Sequence, residues 1–125
     1  MAADSAQKPW PSELRLSPDK KALRVTFSDG IAESIPAELM RVTSPSAEVQ
    51  GHSPSERKLV GGKRDVFIRE IEPVGNYAVK LVFSDGHDTG LFTWSYLHEL
   101  AERKQELWDL YLRELAAAGL SRDPR

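Results

Sequence analysis

Cysteine is absent from all 125 residues, which removes disulfides, thiolate nucleophiles, zinc fingers and cysteine-ligated clusters from this chain. Charge of one sign is scarce as well. Seventeen Lys plus Arg against nineteen Asp plus Glu leave a net charge of −2, which is no footprint for gripping a polyanion, so no nucleic-acid partner is expected. No apolar run approaches the roughly 20 residues that a membrane span needs. The start, Met1-Ala2-Ala3-Asp4-Ser5, lacks the basic and then apolar order of an export signal. These absences predict a soluble, cytoplasmic protein with no membrane partner.

Catalytic motifs are missing too. The only imidazoles are His52, His87 and His98, and none opens a His-x-Asp/Glu iron site. His98-Glu99 begins like the zinc motif His-Glu-x-x-His but does not complete it. Gly61-Gly62-Lys63-Arg64 lacks the earlier glycine of a phosphate loop, where Arg57 stands, and the hydroxyl residue after the lysine, where Arg64 stands. Neither Gly-x-Gly-x-x-Gly nor Gly-x-Ser-x-Gly occurs. The expectation is a chain that is not an enzyme by itself and needs no cofactor.

What is present is an ordinary globular mixture, 40% hydrophobic and 29% charged, of a length that suits one domain. Residues 1–12, with Lys8-Pro9-Trp10-Pro11, read as a flexible leader, residues 13–119 as the domain and residues 120–125 as a frayed tail. Leu14-Arg15-Leu16 and Leu23-Arg24-Val25-Thr26-Phe27 alternate apolar and polar side chains, the period of half-buried strands. Ser17-Pro18-Asp19-Lys20 between them is a turn. Ser28-Asp29-Gly30 predicts a hairpin into Ile31–Ile35, and Pro36 suits the start of a short helix to about Arg41. Thr43 to Arg64 holds two prolines, three glycines and five Ser/Thr without sustained periodicity, and reads as a long loop of the kind that is functional or disordered.

Strands resume at Val66–Ile71, turn at Glu72–Asn76, continue through Tyr77–Phe83 and pass Ser84-Asp85-Gly86 into Asp88–Phe92. Thr93 or Ser95 then caps a helix carrying Leu97, Leu100, Ala101, Leu107, Trp108, Tyr111 and Leu115 at helical spacing. Run straight to Ala118, it would measure roughly 36 Å and outrun a small sheet, leaving an apolar end for self-association. Trp94, Tyr96, Trp108 and Tyr111 read as core before they read as a recognition surface.

Leu23-Arg24-Val25-Thr26-Phe27-Ser28-Asp29-Gly30 recurs 56 positions later as Val79-Lys80-Leu81-Val82-Phe83-Ser84-Asp85-Gly86. The fold class predicted is therefore α+β: two related strand-turn-strand-helix units in one antiparallel sheet, with a long C-terminal helix packed on one side.

Three further blocks, Leu39 to His52, Ile71 to Val79 and Phe83 to Gly90, resemble the gamma-butyrobetaine hydroxylase-like N-terminal domain family of small bacterial proteins of unknown function. The resemblance spans about residues 12 to 100 and implies a compact α+β domain. In relatives that domain is fused to a 2-oxoglutarate-dependent oxygenase or to P-loop ATPases of iron–sulfur assembly. The resemblance also implies an ancestral zinc site of Cys-x-Cys-x-x-Cys and a later histidine. Here those positions fall on Ser44, Ser46, Val49 and His87, so the resemblance implies the fold without the metal, and without an oxygenase activity that belongs to another domain.

The functional expectation is a non-catalytic binding or protein-interaction module for an unidentified protein partner. Its candidate surface comprises Ser44, Ser46, Glu48, His52, Asp85, His87 and Asp88. The alternative is a metal-handling accessory protein, linked to iron–sulfur or iron-dependent enzymes, in which His87 and His52 bind zinc or iron weakly.

Overall fold

A computed structural model describes residues 9–46 and 58–124. The chain runs β1 (Pro11–Leu16), β2 (Ala22–Phe27), β3 (Ala32–Pro36) and α1 (Ala37–Val42). It then continues through β4 (Ile68–Val74), β5 (Ala78–Phe83), β6 (Leu91–Thr93), α2 (Trp94–Glu102) and α3 (Lys104–Ala117). The class is α+β. The strands form two three-stranded antiparallel sheets, β1-β2-β3 and β4-β5-β6, where the repeat had suggested one. A backbone bond links them, the Lys20 carbonyl accepting from the Ile68 amide at 2.9 Å, while the neighbouring Lys21 carbonyl accepts the first amide of α1 at 2.8 Å within the first unit.

The repeat is real down to its hydrogen bonds. Gly30 and Gly86 take φ of 92° and 90°, a region open to glycine and strained for other residues. Phe27 N donates to Ile31 O at 2.8 Å and Phe83 N to His87 O at 2.9 Å. The turn carboxylates Asp29 and Asp85 accept from the Ile31 and His87 amides, each at 3.1 Å. Even the register irregularity recurs, between Pro11 and Glu13 in one sheet and between Ile68 and Glu70 in the other.

Alternation in the central strands sends Leu23, Val25 and Phe27 from β2, and Val79, Leu81 and Phe83 from β5, into a single hydrophobic cluster. Ile35, Leu39, Met40, Phe92, Leu97, Leu100, Tyr111 and Leu115 complete it. Tyr111 is core, as expected of an aromatic at helical spacing, and Trp94, Tyr96 and Trp108 pack against it partly buried.

Four expectations need correction. The leader does not extend to residue 12: Pro11 opens β1, and Trp10 exchanges bonds with Ser28, although its side chain is 53% exposed. Pro73 lies within β4 opposite Val79 instead of in the turn. That strand is an edge, where proline removes no ladder bond that the sheet needs. The long helix is broken at Arg103, with φ −104° and ψ 15°. The change of direction lets Tyr111 and Leu115 reach the core, whereas a straight rod would overhang. Lastly, residues 120–124 fold back onto residues 61–64 rather than standing clear as a frayed tail, because backbone bonds and an Arg122–Glu38 pair hold them.

Candidate functional site

The end of α1 delivers the first half of the site. The Thr43 hydroxyl donates back to the Leu39 carbonyl at 2.7 Å, the Tyr96 hydroxyl of α2 donates to the Thr43 carbonyl, and the chain then turns inward at Ser44 and Ser46. Both serines are buried. The second half is the β5–β6 turn, where His87 occupies the place that Ile31 holds in the first unit. His87 is 6% exposed. Its Nε2 lies 2.9 Å from Ser44 Oγ and 3.3 Å from Ser46 Oγ. Gly90 permits this approach, since a Cβ there would stand 2.2 Å from Ser44 Oγ.

Asp85 is clamped beside this cluster. One carboxylate oxygen accepts from Arg41 Nε at 2.8 Å and from Lys63 Nζ at 2.6 Å, and the other from the His87 amide. Burial opposes ionisation of Asp85, but the bonds from Lys63, the His87 amide and Arg41, with the Arg41 charge, prevail and hold its pKa at about 2. Lys63 comes from the far end of the 43–64 connection, so both ends of that connection meet the turn.

The structure thus brings Ser44, Ser46, Asp85 and His87 together. Asp88 is exposed on the exit from the turn. Glu48 and His52, like Val49, lie outside the described residues. His98, the third imidazole, lies away from this cluster. It is 14% exposed, with Nε2 2.8 Å from Asp29 and Nδ1 3.1 Å from Glu102, and its ring packs edge-on against Phe27 at 4.8 Å.

Sequence reasoning missed Arg41, Lys63, Tyr96 and Gly90. Arg41 carried no direct signal, since the 56-residue offset of the repeat sets it opposite Leu97, one position short of His98. Arg41 and His98 play mirrored roles, each reaching from the helix of its own unit to the turn aspartate of the other. Lys63 carried none, because its neighbours are glycines and another cation.

The serine–serine–histidine set does not fit a tetrahedral zinc. Neutral hydroxyls are poor ligands for that ion, and the imidazole nitrogen that would face the metal is engaged by both of them. Among the described residues no group of three His, Cys, Asp or Glu is placed to hold a metal ion. What the arrangement can do is pin the exit of α1 to the β5–β6 turn through buried hydrogen bonds, and present the clamped Asp85 at the rim.

Fold and cluster together define a class: a small α+β domain of two fused β-β-β-α units whose turn aspartates are each held by a side chain from the opposite unit. The chain belongs to the gamma-butyrobetaine hydroxylase-like, N-terminal family, which matches over residues 14–98. Two proteins solved by NMR in solution are similar to it. One is 51% identical with a TM-score of 0.82, covering 95% of this chain and 94% of that one. The other is 47% identical with a TM-score of 0.80, covering 95% and 89%. A crystallised protein of unknown function from Acidithiobacillus ferrooxidans ATCC 23270, of the DUF971 family, is 40% identical with a TM-score of 0.61, covering 73% of this chain and 91% of that one. None of the curated proteins matches. Among the described residues no helix is long and apolar enough to cross a membrane.

Proposed function

We propose that this chain is a non-catalytic binding module of the cytoplasm that docks a partner protein through the Asp85–Asp88 turn and the connection that flanks it. The observation that carries the reading is the Ser44–Ser46–His87 cluster. Ser44 Oγ lies within hydrogen-bond reach of His87 Nε2, as a nucleophile lies to its base, but both are buried, at 0% and 6% exposure, away from any substrate, which suits a structural pin better than a reactive centre. The pin fixes a surface on which both ends of a long connection meet the turn, and loops whose ends are held by a rigid scaffold are common recognition elements. Weak zinc or iron binding at His87 and His52, the metal-handling alternative, would have to break the two hydroxyl bonds to Nε2. Self-association would use α3, where Leu110 and Leu112 are each 37% exposed.

A charge-reversed variant at the exposed Asp88, Asp88→Lys, outside the Asp85 clamp, should keep the amide dispersion of the wild type. It should lose a protein that crosslinks to the wild type at this turn. Identical crosslinked products from the two proteins would count against the reading. A parallel titration of the wild type with zinc and with ferrous iron, followed by imidazole NMR, should leave His87 unshifted. Saturable shifts focused on His87 and His52 would favour metal handling instead.

A further inference from the structure

Gly119 turns the chain back at the end of α3, and residues 120–124 lie against residues 61–64, bent at Arg122 and Asp123. Gly62 N donates to Ser121 O at 2.8 Å and Arg64 N to Arg122 O at 2.9 Å. The approach is so close that a Cβ on Gly61 would stand 2.9 Å from the Ser121 carbonyl oxygen. Arg122 then reaches inward. Its Nε and Nη2 donate to the two oxygens of Glu38 at 2.8 and 2.7 Å, and its guanidinium lies 4.9 Å from the centre of the Trp108 ring. An open cleft of about 680 Å³ continues between Leu59, Gly61 and Gly62 on one side and Leu120, Asp123 and Pro124 on the other.

The socket belongs to the body of the domain and not to the tail. Glu38 sits on α1, 5% exposed, with the Tyr111 hydroxyl as its other partner at 2.9 Å. A carboxylate this deep needs a cation when it is ionised, and an aromatic face beside it favours a planar guanidinium over an ammonium. The Gly62 and Arg64 amides are donors to the backbone that carries the arginine in, here to the Ser121 and Arg122 carbonyls. Buried negative charge, an indole wall and two backbone donors therefore specify a ligand: a peptide bearing arginine.

We infer that this groove is a docking site for an arginine-bearing segment of a partner protein, and that Ser121–Asp123 occupies it as a self-ligand. A partner binds by displacing the tail, so the tail sets the affinity by competition. The groove uses none of Ser44, Ser46, Asp85 or His87. It adjoins the turn surface proposed above, because Lys63, which clamps Asp85, lies between the two donor amides, and the arginine-dependent peptide response distinguishes the two sites.

The test uses the full-length chain and a blocked peptide, Gly-Leu-Ser-Arg-Asp-Pro, that copies residues 119–124. In the Arg122→Ala variant the peptide should give saturable NMR shifts at the Gly62 and Arg64 amides and the Trp108 indole. Its affinity should exceed that for the wild type by roughly 10-fold, because the native tail no longer competes. A peptide with alanine for arginine should give none, and adding Gly61→Ala to the variant should abolish the response by blocking the groove. No saturable shift, equal shifts from both peptides, or dimerisation of the variant in place of peptide binding would each overturn the inference. Should Arg122→Ala not fold, hydrogen exchange on the wild type decides. Tail release requires the Gly62 and Arg64 amides to exchange at least about 100-fold faster than those of β2 and β5, and exchange at the core rate would refute it.

Discussion

Asp85 shows how much one carboxylate can organise. Its folded pKa of about 2 lies below the usual 3.8, so its ionised form stabilises the fold above the unfolded value, and that contribution is lost as pH falls toward 2. Partial solvent screening leaves about 1 kcal/mol from the shift itself. Asp85→Asn should cost more than this at neutral pH, about 2 kcal/mol, because Arg41 and Lys63 lose a shared counter-charge while partly buried. Urea unfolding across pH should show the deficit shrinking between pH 4 and pH 2, and a deficit constant with pH would show that charge is not its source. Gly90 tests the neighbouring cluster by shape alone. In Gly90→Ala the new Cβ would meet Ser44 Oγ at 2.2 Å and Pro45 Cδ at 3.2 Å. Ser44 must then swing away from His87, at about 1–3 kcal/mol, and the His87 imidazole resonances should move. Unmoved resonances would mean that the serine bond does not hold the ring.

Elements were legible where local rules act alone. Thr93 was readable as a cap from sequence, and its Oγ1 does accept from the Tyr96 amide at 3.1 Å. Thr93→Ala should therefore cost about 1 kcal/mol in thermal or urea unfolding, and a loss below a few tenths would show that the α2 start is held by its neighbours instead. The hairpin turns, the alternating strands and the 56-residue repeat were equally plain, since each is written in a short stretch of residues. Pro73 misled because edge and interior strands read alike until the sheet is known. The break at Arg103 has neither proline nor glycine to mark it, and only the bonds of Arg103 to Glu99 and Glu106 on either side accompany it. Of the site, the Ser44–Ser46–His87 convergence was reachable through the family pattern. The Arg41, Lys63 and Arg122 pairs were not, as each joins residues more than 20 positions apart without a local signature.

At the scale of the whole molecule, two sheets could mean two folding units, and the packing argues otherwise. Leu23 of the first sheet and Leu81 of the second are both fully buried in the same cluster, along with residues of all three helices. The helices interlock the units further: α1 of the first unit sends Arg41 to the turn of the second, and α2 of the second sends His98 to the turn of the first. Neither sheet alone would keep its apolar face covered, and three strands with an open face are marginal in water. Leu23→Ala and Leu81→Ala should each cost about 2–5 kcal/mol, and each should lower one shared transition, not a half of two. Far-ultraviolet circular dichroism, which weighs the strands of both sheets, and tryptophan fluorescence in a Trp10→Phe background, which leaves Trp94 and Trp108 of the second unit and α3, should give coincident urea curves for both variants. If Leu23→Ala instead separated the two signals, with fluorescence unfolding at the wild-type midpoint, the second unit would be standing alone and the single core would not be what couples them.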